Sequence, residues 1–198
     1  MTKVIMQNKP SYECMMKAET ALALSRQSTN DSFMEYHCSA GLIFLAFAVE
    51  AMFIFYRRQV DSDYDKKRDK TGRTNFHKKT LELCGIKNYL GSHDYQTVKK
   101  CFDARDSIAH GDFFESSFEF TPTVADEHNM FAEEILTQSS EQFRKITLEI
   151  LENGIIAAKR IDEYIYDNGY KVDEDIELEF MPKLQPAFGV SGIYTWYY

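Results

Sequence analysis

The chain sets an arginine where a core residue belongs. Between Ser92 and Gly111, Val98, Cys101, Phe102, Ile108 and Ala109 recur at helical spacing, and Arg105 falls within that stripe. A guanidinium in such a place must be paired or face an interface, because an isolated buried charge is prohibitively costly. Five residues on comes His110, directly before Gly111. Five steps of about 100° set the two side chains about 140° apart on an ideal helix. They can share one site only if the helix ends or distorts there, or if a second chain contributes. Glu50 is the matching oddity, the sole charged residue in the apolar run Leu42–Tyr56. It and Arg105 are natural partners. Two readings stand side by side: an ion pair that only fixes helix register, and a pair that serves a functional site.

Other catalytic arrangements are missing. The chain has no GxSxG, no Walker-type glycine loop, no GxGxxG and no HExxH. Cys38 follows His37 directly, and adjacent helical side chains point about 100° apart, which disfavours a Cys–His dyad. Cys14, Cys38, Cys84 and Cys101 form no CxxC pair and no Cys/His cluster of zinc-ligand spacing. No metal and no other cofactor is therefore expected, and reduced thiols fit a cytoplasmic protein. The first ten residues lack the apolar stretch of a secretory signal. His93 and His128 read as surface residues near helix starts.

The 198 residues include 23 Lys+Arg against 31 Asp+Glu, a formal net charge of -8. That balance argues against a protein that coats nucleic acid non-specifically, since such binding is mostly cation–phosphate attraction. The charges are unevenly placed. Arg57 to Lys100 holds 12 Lys/Arg against 6 Asp/Glu, whereas Asp112 to Tyr198 holds 6 against 18. A cationic middle thus precedes an anionic last third. Length and a hydrophobic content of 44% predict one globular domain over 1–198, with an aromatic C-terminal tail over about 170–198.

The elements that must position these residues read as helices. Tyr12, Met15, Met16, Ala18, Leu22 and Leu24 predict a first amphipathic helix capped by Ser11. Asp31 or Ser32 caps a second that runs to about Arg58. Its fifteen-residue apolar run would be about 22 Å long, short of a bilayer core of ~30 Å, and Glu50 would be costly in lipid. A buried helix is expected there, and no membrane. A charged link over Val60–Thr74 leads to a helix at about Asn75–Cys84, ended by Gly85. The fourth helix covers Ser92–Gly111. Ala125–Ser139 and Ser140–Asn168 form one very long helix or two, with Phe143, Ile146, Ile150, Leu151, Ile155, Ala158, Ile161 and Ile165 along one stripe. Phe113–Thr121 and Ile176–Met181 alternate as strands do. The expected fold is mainly all-α, an antiparallel helical bundle with a two-stranded β ribbon at about 113–121 and 176–181.

The run Arg105-Asp106-Ser107-Ile108-Ala109-His110-Gly111 resembles the signature of HEPN domains, often written R-(N/D)-x-I-A-H-G. Those domains are helical bundles that often carry an acidic residue on an upstream apolar helix, and Glu50 in FAVEAMF matches it. The likeness covers roughly Ser11 to Asn168. It implies a metal-independent endoribonuclease that works as a homodimer, with two Arg–His motifs meeting in one cleft. His110 would be the general acid/base at the ribose 2′-OH or the leaving 5′-oxygen. Arg105 would clamp the scissile phosphate, and Asp106 and Glu50 would orient or tune the two. The product would carry a 2′,3′-cyclic phosphate.

Nucleases of this kind occur in toxin–antitoxin and phage-defence systems, which implies an antitoxin or other protein as a further partner; the acidic last third would either face away from substrate or dock such a basic partner. Arg57, Arg58, Lys66, Lys67, Arg68, Lys70, Arg73, Lys78 and Lys79 would track the RNA backbone. His77 among them reads as a surface residue. The alternative keeps the fold without catalysis, as a nucleotide- or RNA-binding or protein-interaction dimer module. Trp196, Tyr197 and Tyr198 would either stack on bases or pack on the domain or a dimer mate.

Overall fold

Helix ends in this chain are set by a handful of capping residues. A computed structural model describes residues 3–6, 9–64, 71–110, 143, 145–172, 177–189 and 193–196. Among them are five α-helices: α1 (Pro10–Gln27), α2 (Asp31–Val60), α3 (Arg73–Leu83), α4 (His93–Ala109) and α5 (Leu148–Asn168). Pro10 opens α1 with its fixed φ. Ser11 is therefore inside the first turn rather than at the cap, and its hydroxyl donates to the Ala187 carbonyl at 2.7 Å. Asn30, not Asp31 or Ser32, caps α2, accepting from the Ser32 and Phe33 N–H groups at 2.9 and 3.2 Å. α4 starts where expected, with Ser92 as its cap through the Tyr95 N–H at 3.2 Å.

Thr147 caps α5 through the Ile150 N–H, so the helical stretch expected over Ser140–Asn168 is interrupted at 145–147, where Ile146 is buried. The expected helix at 125–139 lies outside the described residues. α3 starts at Arg73 and closes in a Schellman turn, with the Ile86 N–H on the Leu81 carbonyl and the Gly85 N–H on that of Glu82. Gly85 has φ +78, and a Cβ there would come within 2.5 Å of the Tyr170 ring.

α2 is the axis of the bundle. Leu42, Leu45, Val49, Met52, Phe53 and Tyr56 are fully enclosed along it, with α1, α3, α4 and α5 packed around it. Burying a side chain of this size contributes about 1.5–3 kcal/mol. Ion pairs give the directions: Arg26–Glu152 and Lys159–Glu19 run α5 antiparallel to α1, and Asp94–Arg160 runs it antiparallel to α4. A Cβ at Gly154 would lie 2.7 Å from Leu45 Cδ2 and 2.8 Å from Cys101 Sγ. α5 thus crosses α2 and α4 at a point where only hydrogen fits. α2 has the length and hydropathy to cross a membrane, yet 56% of its most apolar window is buried inside the bundle, as in the core helix of a soluble protein.

The chain returns across the bundle after α5. Leu184 and Ala187 are buried, and the Gln59 side chain donates to the Gln185 carbonyl and accepts its N–H. The Asp162 carboxylate on α5 is 5% exposed. It accepts from the Tyr56 hydroxyl at 2.5 Å and from the Ala187 and Phe188 N–H groups at 2.8 and 3.0 Å. Burial, with Asp162 beside it, raises the Tyr56 phenol above its ordinary range.

Lys3–Met6 (β1) pairs antiparallel with Ile193–Trp196 (β2), Lys3 opposite Trp196. The two segments expected to form a ribbon fare differently. Residues 113–121 lie outside the described residues. Leu178–Phe180, within the second, form a short 3-10 turn. Among the described residues this stretch has one bridge near it, Tyr170 to Lys183, and Leu178 stands 64% exposed.

Candidate functional site

Three helices deliver four charges to one place. Glu50 comes from the middle of α2, Arg73 from the first position of α3, and Arg105 and Asp106 from the last turns of α4. Glu50 Oε1 accepts from Arg105 NH2 and from Arg73 Nε, the latter at 3.1 Å. Arg73 also forks onto Asp106, with NH1 to Oδ2 at 2.6 Å and NH2 to Oδ1 at 3.1 Å. Arg105 NH1 lies 3.2 Å from the same Oδ1. The result is a closed ring of two guanidiniums and two carboxylates. Bidentate forks of this kind are stronger and more directional than single ion pairs.

Aromatic faces back the ring. The Arg73 guanidinium lies 4.6 Å from the centre of the Phe102 ring, and that of Arg105 5.6 Å from Phe47. The side chains of Arg73, Asp106 and Glu50 are each about 30% exposed and that of Arg105 is 17% exposed, so the ring sits at the edge of the core and not within it. Arg105 Nε is enclosed with no hydrogen-bond partner among the described residues. The Arg73 fork holds the Asp106 carboxyl below the usual carboxylate range, with Arg105 and His110 adding to the effect. The same bonds raise the Arg73 guanidinium.

His110 closes α4. Its N–H donates to the Asp106 carbonyl at 2.9 Å and its side chain is exposed. Four residues from Asp106, it lies on Asp106's side of the helix and not on that of Arg105. The helix ends here, one of the two ways in which the five-residue spacing could bring both groups to one site, yet one chain still leaves Arg105 and His110 on different sides of the turn. Gly111 lies outside the described residues. Among the described residues no three His, Cys, Asp or Glu side chains converge as metal ligands.

His77, read from the sequence as a surface residue, is buried. It stacks on Phe53 with ring centres 3.9 Å apart, and its Nδ1 lies 3.0 Å from the Tyr95 hydroxyl. Lys78 and Lys79 point outward while His77, one turn beyond Arg73, points into the bundle. Burial, with Arg73 nearby, lowers its pKa to about 3. The unfolded chain takes up that proton near pH 6.5, so stability is lost as the pH falls from about 6.5 towards 3. The chain should be about 1 kcal/mol less stable at pH 5.5 than at pH 7 on this account. Urea titrations of the chain and of His77→Phe at both pH values check it, the variant showing the smaller difference.

The expected cationic track is only partly present as a surface. Arg57 is 3% exposed, pairs with Asp61 at 3.1 Å and lies against the Tyr64 and Phe76 rings, so it is part of the core. Arg73 belongs to the ring. Lys78 reaches towards Glu82 at 3.9 Å, Lys79 and Arg58 are exposed, and Lys66, Lys67, Arg68 and Lys70 lie outside the described residues. Sequence reading missed Arg73 as the partner of both carboxylates. Its only signal was a basic residue next to a glycine at a helix start.

Fold and site together define a mainly helical protein with an ion ring at the open end of one helix. No protein-family model, curated protein or solved structure matches the chain.

Proposed function

We propose that the chain is a HEPN-type, metal-independent endoribonuclease that acts as a homodimer. The observation that carries the reading is the RDSIAH part of the run at the end of α4, with Arg105 held by Glu50 at the core's edge. In this reading one His110 takes the proton from a ribose 2′-OH. O2′ attacks phosphorus, the P–O5′ bond breaks, and the second protomer's histidine returns a proton to O5′. Arg105 neutralises the charge that builds on the phosphoryl oxygens, and Asp106 and Glu50 hold the arginine's plane.

A second copy also answers the geometry of α4, because the two catalytic groups leave the helix on different sides. α2 offers it a seat. Ala40, Ile43, Phe44, Phe47, Ala51 and Ile54 recur at helical spacing, each partly or largely exposed, and Phe47 touches the ring. A role in toxin–antitoxin or phage-defence systems, with a basic partner on the acidic last third, follows from the same likeness.

One observation favours the non-catalytic alternative, a nucleotide- or RNA-binding or protein-interaction dimer: the ring's four charges cancel within one chain. Incubation with RNA in EDTA separates the two. The nuclease yields fragments ending in a 2′,3′-cyclic phosphate; intact RNA across varied substrates leaves the binding module.

A further inference from the structure

A groove of about 520 Å³ runs between α4 and α5, on the side of α4 turned away from the ring. Its walls carry His93 and Lys100 from α4, Lys145 from the turn before α5, and Arg160 from α5. Asp94 is the single carboxylate among the described lining residues, set 3.7 Å from Arg160. Between the cations lie Ile150 and Ile156, each 40% exposed. On α4 the lining runs from His93 to Ser107, about 21 Å at 1.5 Å per residue.

Cations spread along both walls, with apolar surface between them, fit a charged backbone carrying flat bases. The length suits a strand and exceeds a single nucleotide. The small volume refuses an A-form duplex, which proteins meet across its wide minor groove. Ser107 and His110 are three residues apart and share a side of α4, so a strand laid in the groove ends at His110. We infer that the α4–α5 groove seats single-stranded RNA and leads it to His110 at the end of α4. This rests on the ribonuclease reading. It moves the substrate track from the α3 lysines to Lys100, Lys145 and Arg160.

The test uses the full chain carrying His110→Ala, so that RNA survives, with a fluorescent twelve-residue oligouridine as probe. Lys100→Glu with Arg160→Glu should weaken binding at least about tenfold and flatten the salt dependence, each lost phosphate contact removing about 0.7 from the log–log slope. Lys78→Glu with Lys79→Glu should change it less than about threefold. Lys100→Gln with Arg160→Gln gives the same loss without reversing charge, and circular dichroism shows that each variant is folded. Unchanged binding by the folded groove variants overturns the inference and leaves the nuclease reading standing. Equal affinity for a duplex, or preference for polyglutamate, also overturns it. Groove-dependent binding with no cleavage by the parent chain keeps the groove and sinks the nuclease. No RNA binding by any form sinks both.

Discussion

His110→Ala is expected to slow RNA cleavage by about a hundredfold to ten-thousandfold, the range that a positioned acid/base supplies. Its stability should stay within about 0.5 kcal/mol of the parent's. The His110 side chain is exposed, and the bond it makes to the Asp106 carbonyl comes from the backbone, which alanine keeps. Arg105 behaves differently. Removing it takes a cation from the ring and leaves Glu50 and Asp106 to share Arg73, so Arg105→Ala loses both rate and stability. Arg105→Lys keeps the charge and loses the planar fork. It should hold most of the stability while still losing rate. Cleavage assays beside urea titrations of the three variants check this. Cleavage by His110→Ala at the parent's rate sinks the enzyme reading, and a loss of stability without a loss of rate in Arg105→Ala makes the ring purely structural.

The ring shows what one sequence can and cannot disclose. An arginine on an apolar stripe and a glutamate in an apolar run are each conspicuous, because buried charge demands a partner, and the pairing of Arg105 with Glu50 follows from that demand. Arg73 carries no such mark. It is one of 12 basic residues between Arg57 and Lys100, and its place opposite Asp106 depends on how α3 docks on α2 and α4. The same holds for His77, whose cationic neighbours in sequence hide a core position. A charge run says where solvent is on average, whereas a helix turns one residue in three or four inward. The helix ends were legible to within a few residues where side-chain caps or Gly85 set them. The alternation at Ile176–Met181 misled over Leu178–Phe180, which fold as a 3-10 turn: a period of two describes side chains on a strand and does not by itself make one.

Asp162 left no trace in the sequence, a lone aspartate among the acidic residues of the last third, and its loss is the largest stability change expected. The carboxylate receives three donors in a buried place: the Tyr56 hydroxyl and the N–H groups of Ala187 and Phe188. Asp162→Ala strands all three, at roughly 1–3 kcal/mol for each buried donor left without a partner. Relaxation of the chain end returns part of that, and a net loss of about 3–5 kcal/mol is expected, a large share of a typical domain's stability. Tyr56→Phe removes one donor and leaves the carboxylate its two backbone partners, costing about 1–2 kcal/mol. Asp162→Asn falls between, because its amide presents hydrogens to one of the remaining donors. Urea midpoints should rank Tyr56→Phe above Asp162→Asn above Asp162→Ala, and limited proteolysis should cut residues 183–188 fastest in the last. Equal midpoints for Asp162→Ala and the parent overturn the latch. The latch does not touch the ion ring, so the folded fraction of Asp162→Ala should process RNA as the parent does. In the ribonuclease reading α2 then serves the fold alone at Tyr56, and both fold and chemistry at Glu50.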